Sequence, residues 1–184
     1  MIKKKLDTPP VRKVMSEDLN YVEPGAPVSE IAKILRREGR GEVLVVRDDD
    51  VLGLVTNSDV VNEFVVAGKG GDAEDIMTEE LITISPEIDI ETAAIIMVEE
   101  GVERLLVRDG GKIIGVISQD DIIEVSPELY LDISQGLKLG LETTEEDSEK
   151  EIGQCESCEN YSEDLKEING NMICGFCREE MNFA

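Results

Sequence analysis

Shifted by 62 residues, the chain lies on itself without a gap. The stretch "VMSEDLNYVEPGAPVSEIAKILRREGRGEVLVVRDDDVLGLVTNSDVV" falls on "IMTEELITISPEIDIETAAIIMVEEGVERLLVRDGGKIIGVISQDDII". Met15 meets Met77, Pro24 meets Pro86, Gly39 meets Gly101, Gly53 meets Gly115 and Asp59 meets Asp121. Both copies must therefore adopt one supersecondary unit, a tighter restriction than any composition figure sets.

Each copy reads as β-α-β-β-α. A short extended stretch, Asn20–Val22 or Ile82–Ile84, stops at a proline. Apolar residues then recur at Val28, Ile31, Ala32 and Leu35, and at Ile90, Ala93, Ala94 and Met97. That i, i+3, i+4, i+7 spacing makes one buried helix face. Gly39 and Gly101 suit a left-handed cap at the helix end. Two aliphatic strands flank the polar turns "RDDD" and "DGG". A second helix is expected from Ser58 or Asp120, with Asn57 or Gln119 just ahead of it.

These residues carry a resemblance to tandem cystathionine-β-synthase (CBS) domains, a Bateman module. Matching features are Val14-Met15 and Ile76-Met77, the Val-x-Pro and Ile-x-Pro steps at 22–24 and 84–86, and the endings "GLVTNSD" and "GVISQDD". The resemblance covers roughly Val11 to Val125. It implies an α/β (α+β) fold, with CBS domain 1 over 11–67 after a tail of residues 1–10, and CBS domain 2 over 68–125. It also implies a homodimer and an adenosine ligand such as AMP, ADP, ATP or S-adenosylmethionine.

Carried over by position, Asp59 and Asp121 become ribose ligands, with Thr56 and Ser118 beside them. A plain helix cap accounts for the same aspartates equally well. The copies differ where a phosphate needs neutralising. Arg104 in the second copy stands where the family places basic residues, and its counterpart is Glu42. Thr83 also fits a ligand-facing position, where the first copy has Tyr21. The second site is therefore favoured, although Arg104 also reads as an ordinary surface cation. A proline usual before the central valine is replaced by Leu44 and Leu106.

Asp and Glu outnumber Lys and Arg by 42 to 18, a net charge of −24. Such a field repels phosphate backbones and anionic lipid, which argues against nucleic acid as a partner. From Ser126 onward only four basic residues occur. The opening "MIKKKLDTPP" lacks the apolar stretch of a signal peptide, and no run is long enough to span a bilayer. A cytoplasmic location is expected, where thiols stay reduced. No histidine is present, and no nucleophile, phosphate loop or carboxylate pair marks an enzyme.

Residues 126–151 read as a connector: Ser126 and Pro127 start a helix, Leu129, Ile133, Leu137 and Leu141 form one stripe, and Glu142–Glu151 is an acidic linker. Beyond it, over 152–184, lie Cys155, Cys158, Cys174 and Cys177, two Cys-x-x-Cys pairs separated by fifteen residues. Four soft thiolates at this spacing suit zinc or iron. A turn is expected at 169–171, in a hairpin between the pairs. The unit resembles a zinc ribbon, so zinc is the expected cofactor, and a rubredoxin-like iron site is the alternative. The sequence thus predicts a non-catalytic nucleotide sensor that relays to an unknown protein partner, or alternatively an iron electron carrier on a dimerising CBS platform.

Overall fold

The computed structural model describes residues 8–39, 41–129 and 152–181. Contacts divide the chain into two units, Asp18–Leu81 and a second made of Met1–Glu17 with Ile82–Ala184.

In the first unit, β1 (Tyr21–Val22), β2 (Glu42–Arg47) and β3 (Asp50–Thr56) form a three-stranded sheet in that order. β1 runs parallel to β2 and β3 antiparallel to it. The helix α1 (Val28–Glu38) buries Val28, Ile31 and Leu35, the stripe expected from its spacing. It ends on Gly39 at φ +70°, the left-handed cap that glycine adopts without steric cost. Two left-handed residues, Asp48 and Asp49, turn β2 into β3. α2 (Asn57–Asp59) runs on into a π-helix, Val60–Val66, and leaves Val61, Val65 and Val66 exposed. The core joins Val22, α1, Val43, Val45 and Val55 to Ala73 and Ile76, which lie on α3 (Ala73–Ile76).

The second unit repeats the pattern: β4 (Thr83–Ile84), α4 (Ile90–Glu100), β5 (Arg104–Asp109), β6 (Lys112–Ser118) and α5 (Gln119–Val125). Gly101 caps α4 at φ +69°, and Gly110 and Gly111 make the β5–β6 turn with positive φ. Ile84, Ile90, Ala94, Met97, Leu105, Val107, Ile117 and Ile122 build its core. Leu129, the only residue of the connector's stripe among the described residues, is buried there too. The rest of that stripe and the acidic linker lie outside the described residues.

The lead-in segments are placed in a way the repeat does not announce. Val11 and Met15 open the first repeat in sequence, yet they pack into the core of the second. Ser16 exchanges two backbone hydrogen bonds with Val116, at 2.8 and 3.0 Å. In the first unit, Thr78 exchanges the matching pair with Leu54, at 2.9 and 3.0 Å. Each lead-in methionine lies over a glycine of β3 or β6. A Cβ added to Gly53 would come within 2.8 Å of Met77, and one added to Gly115 within 2.8 Å of Met15.

The cysteine unit contains β7 (Gly153–Gln154), β8 (Tyr161–Ser162), β9 (Leu165–Ile168), β10 (Asn171–Cys174) and α6 (Gly175–Glu180). β9 and β10 form the expected hairpin, turned by Asn169 at φ +54° and Gly170 at φ +89°. The sequence reading sets this unit apart behind a linker. In the structure it joins the second repeat, because one sheet runs β6-β5-β4-β8-β7. Among the described residues, no helix is long and apolar enough to cross a membrane.

Candidate functional site

The first knuckle, Cys155 and Cys158, lies between β7 and β8. The second places Cys174 at the end of β10 and Cys177 in the first turn of α6. The hairpin brings them together, so that all four sulfurs lie within 4.8 Å of one another. Cys158 Sγ is 3.7 Å from Cys174 Sγ. A tetrahedral ion with metal–sulfur bonds of about 2.3 Å requires sulfurs about 3.8 Å apart, so the cluster fits one such ion. Four thiolates fill the coordination sphere of such an ion and leave no open position for a substrate.

Backbone amides supply the compensation that a cluster of thiolates needs. Cys174 N donates to Cys155 Sγ at 3.3 Å. Burial works to raise the Cys155 thiol, but amide hydrogens from Cys174, Ser157 and Cys158 outweigh it and bring the pKa down to about 7. At Cys158 and Cys174 desolvation dominates, and both thiols are pushed up. Arg178 ties α6 to the hairpin. Its guanidinium donates to Ile173 O at 2.7 Å and to Asp164 O at 3.0 Å, and grips both Asp164 carboxylate oxygens at 2.8 and 2.9 Å. The apolar core of the unit is small: Ile173, Leu165 and Ile168 around the cysteines.

Three contacts to the second repeat surround the first knuckle, and none was read from the sequence. Ile84 of β4 pairs in parallel with Tyr161 of β8, and Ser85 N donates to Tyr161 O at 2.8 Å. Arg108 Nη1 donates to Cys158 O at 3.1 Å. Tyr161 Oη donates to Glu100 Oε1 at 2.8 Å. Desolvation and that carboxylate hold the Tyr161 phenol up at about 12. The repeat carried no signal for the Arg108 contact, because the counterpart of Arg108 is Val46.

The residues singled out for a ligand also take defined places. Thr56 and Ser118 are the caps of α2 and α5, which therefore begin at Asn57 and Gln119, one residue before the expected starts. A hydroxyl at the strand's end captures the first turn sooner than a cap at the next residue could. Asp59 Oδ2 accepts from Thr56 N at 2.7 Å and Thr56 Oγ1 at 2.8 Å. Asp121 Oδ2 accepts from Ser118 N at 2.8 Å and Ser118 Oγ at 2.6 Å. Both aspartates thus close capping boxes, as the cap reading expects.

Register decides which other side chains accompany them. Arg104 is paired directly with Ser118, and Thr83 with Leu106. Alternation along the strands puts Thr83, Arg104, Leu106, Val116 and Ser118 on one face, opposite the face that packs on α4 and α5. Thr83 is 4% exposed. The side chain of Arg104 is 17% exposed, with Nη1 3.4 Å from Glu103 Oε2. In the first unit the same face carries Tyr21, Glu42 and Thr56, with Glu42 paired to Thr56.

The CBS-domain family model matches residues 11–66 and again 73–128. The chain belongs to the CBS-domain family. An uncharacterized protein of Methanopyrus kandleri is 36% identical over 179 residues, spanning 93% of this chain and 91% of that one, so the likeness includes the cysteine unit. Among solved structures, an uncharacterized conserved protein from Pyrococcus horikoshii matches with a TM-score of 0.61 and 30% identity, covering 65% of this chain and 92% of that one. The CBS domain pair of protein MJ0100, solved with 5′-methylthioadenosine and S-adenosyl-L-methionine, matches with a TM-score of 0.60 and 20% identity, over 66% of this chain and 98% of that one. The solved structures thus share the CBS pair fold, and four clustered cysteines follow that pair here.

Proposed function

We propose that this chain is a non-catalytic regulatory protein. Its second CBS repeat takes an adenosine compound, and its cysteine unit holds one structural zinc ion. The observation that carries the ligand reading is the register of β5 and β6, which sets a cation, Arg104, across from Ser118 and its bonded Asp121. The equivalent pairing in the first repeat sets an acid, Glu42, across from Thr56. On a chain of net charge −24, a phosphate needs a local cation, and only the second pairing offers one. The adenosine compounds held by the CBS pair of protein MJ0100 support the ligand class.

Asp121 serves this reading as an acceptor for ribose hydroxyls, and Arg104 as a phosphate partner. A second copy of the chain is the proposed dimer partner, and the cytoplasm the proposed compartment. The test is a thermal-shift screen with AMP, ADP, ATP and S-adenosylmethionine, run beside elemental analysis. At a hundredfold excess over Kd, a binding compound adds about 2.7 kcal/mol of stability. At least one compound is expected to raise the unfolding temperature, and the protein is expected to carry one colourless zinc per chain. No shift with any of the four overturns the sensor reading; a red iron-loaded protein overturns zinc.

A further inference from the structure

We propose that metal occupancy of the cysteine unit sets the order of β4, and through it the ligand-facing side of the second CBS repeat. The inference rests on the reading of that repeat as the ligand site, and concerns how the site is regulated.

β4 is two residues long and stands between β5 and β8. On one side Thr83 and Ile84 pair with Leu106 and Val107; on the other, Ile84 pairs with Tyr161. Thr83 is the ligand-facing threonine, and its neighbour Ile84 is the residue the cysteine unit grips. β8 is in turn held by the first knuckle, since Cys155 N donates to Asn160 O at 3.0 Å and Arg108 reaches Cys158 O. The metal thus shapes the loop that carries Tyr161. A core of three aliphatic residues and four cysteines is too small to hold that shape alone, so metal loss releases β8 and leaves β4 as an edge strand.

The first repeat provides the comparison. Its β1 has β2 on one side and no second partner strand among the described residues. Leu44 N donates to Asn20 O at 2.8 Å, as Leu106 N does to Ile82 O at 3.0 Å, and only the second of these bonds borders a strand that the cysteine unit clamps. Two repeats of one sequence pattern therefore differ in the support of the same strand. Two sites that share such an element are coupled, and the coupling is reciprocal.

The experiment is residue-resolved amide hydrogen exchange on the full chain, zinc-loaded and after chelation, followed by ATP titration of both forms. Ser85 and Leu106 are expected to exchange about tenfold faster or more without zinc, while Leu44 stays unchanged. ATP is expected to bind about fivefold or more weakly without zinc, and to raise zinc affinity by the same factor. If chelation accelerates Leu44 equally, the zinc-loaded variant Arg108→Ala/Tyr161→Phe decides, because it keeps all four cysteines. Faster exchange at Ser85 and Leu106 in that variant supports the proposal. Unchanged protection of both amides, in the zinc-free chain or in the zinc-loaded double variant, overturns it. Should exchange respond while no adenosine compound binds, the control of β4 stands and the ligand reading falls.

Discussion

Replacing Gly115 by alanine tests the placement of the lead-in segment. The added Cβ would stand 2.8 Å from Met15 Sδ and 2.9 Å from Ser16 O. The methionine end can swing away, but the carbonyl cannot move freely. Ser16 is held by its two bonds to Val116, at 2.8 and 3.0 Å, and relieving the clash lengthens both. Overpacking of this kind costs about 1–3 kcal/mol. Alanine restricts the unfolded chain and returns about 0.4–1 kcal/mol, so the net loss is about 1–2 kcal/mol. For a chain of this size that lowers the unfolding temperature by about 2–8 °C. Calorimetric melting of the zinc-loaded protein measures it. Gly25→Ala is the control, because nothing lies within 4 Å of its added Cβ and its φ is not left-handed. If Gly115→Ala melts with wild type and Gly25→Ala, then Met15 and Ser16 do not lie over that strand, and the segment's placement is wrong.

Serine at any one of Cys155, Cys158, Cys174 and Cys177 is expected to lower bound zinc from one per chain towards none, read by elemental analysis, while the first repeat keeps its stability. Zinc affinity is expected to weaken as pH falls, because desolvation pushes the Cys158 and Cys174 thiols up and protons compete for the sulfurs, which a competitive chelator titration follows. Tyr161 is expected to ionise near pH 12, well above the ordinary value of about 10, as seen at the tyrosinate absorbance band. Its folded pKa lies above its unfolded one, so its contribution is intact below pH 10 and fades towards pH 12. Tyr161→Phe removes that late step.

Much of this fold was readable because its information is local. The apolar spacing of α1 and α4, the glycines that end them and the Asn169-Gly170 turn each depend on neighbours within a few residues. The cysteine spacing, likewise, needs only a hairpin to become a cluster. Placement of the lead-in segments is different in kind. Gly53 and Gly115 offer Met15 the same bare strand, so two like repeats cannot say which of them receives it. Docking of the cysteine unit rests largely on backbone atoms, Ser85 N and Tyr161 O, and backbone pairing leaves no side-chain period to read. Arg108 and Tyr161 were overlooked because an arginine beside a turn and a lone tyrosine are unremarkable until the contact is seen. The capping boxes show a further limit. Ser-x-x-Asp at a strand end serves a helix and a ribose alike, and the letters do not separate them.

The aspartates supply the measurement that bears most directly on the proposed ligand site. Asp59→Ala and Asp121→Ala remove matched capping boxes, so both are expected to lose similar stability, about 0.5–2 kcal/mol. Their effects on ligand binding should differ. In calorimetric titration with ATP, Asp121→Ala removes an ionised acceptor worth about 1.5–3 kcal/mol, and affinity is expected to fall about tenfold or more. Asp59→Ala is expected to leave affinity near the wild-type value, because Glu42 already opposes a phosphate beside it. Loss of binding in Asp59→Ala with full affinity in Asp121→Ala would contradict the assignment of the ligand to the second repeat.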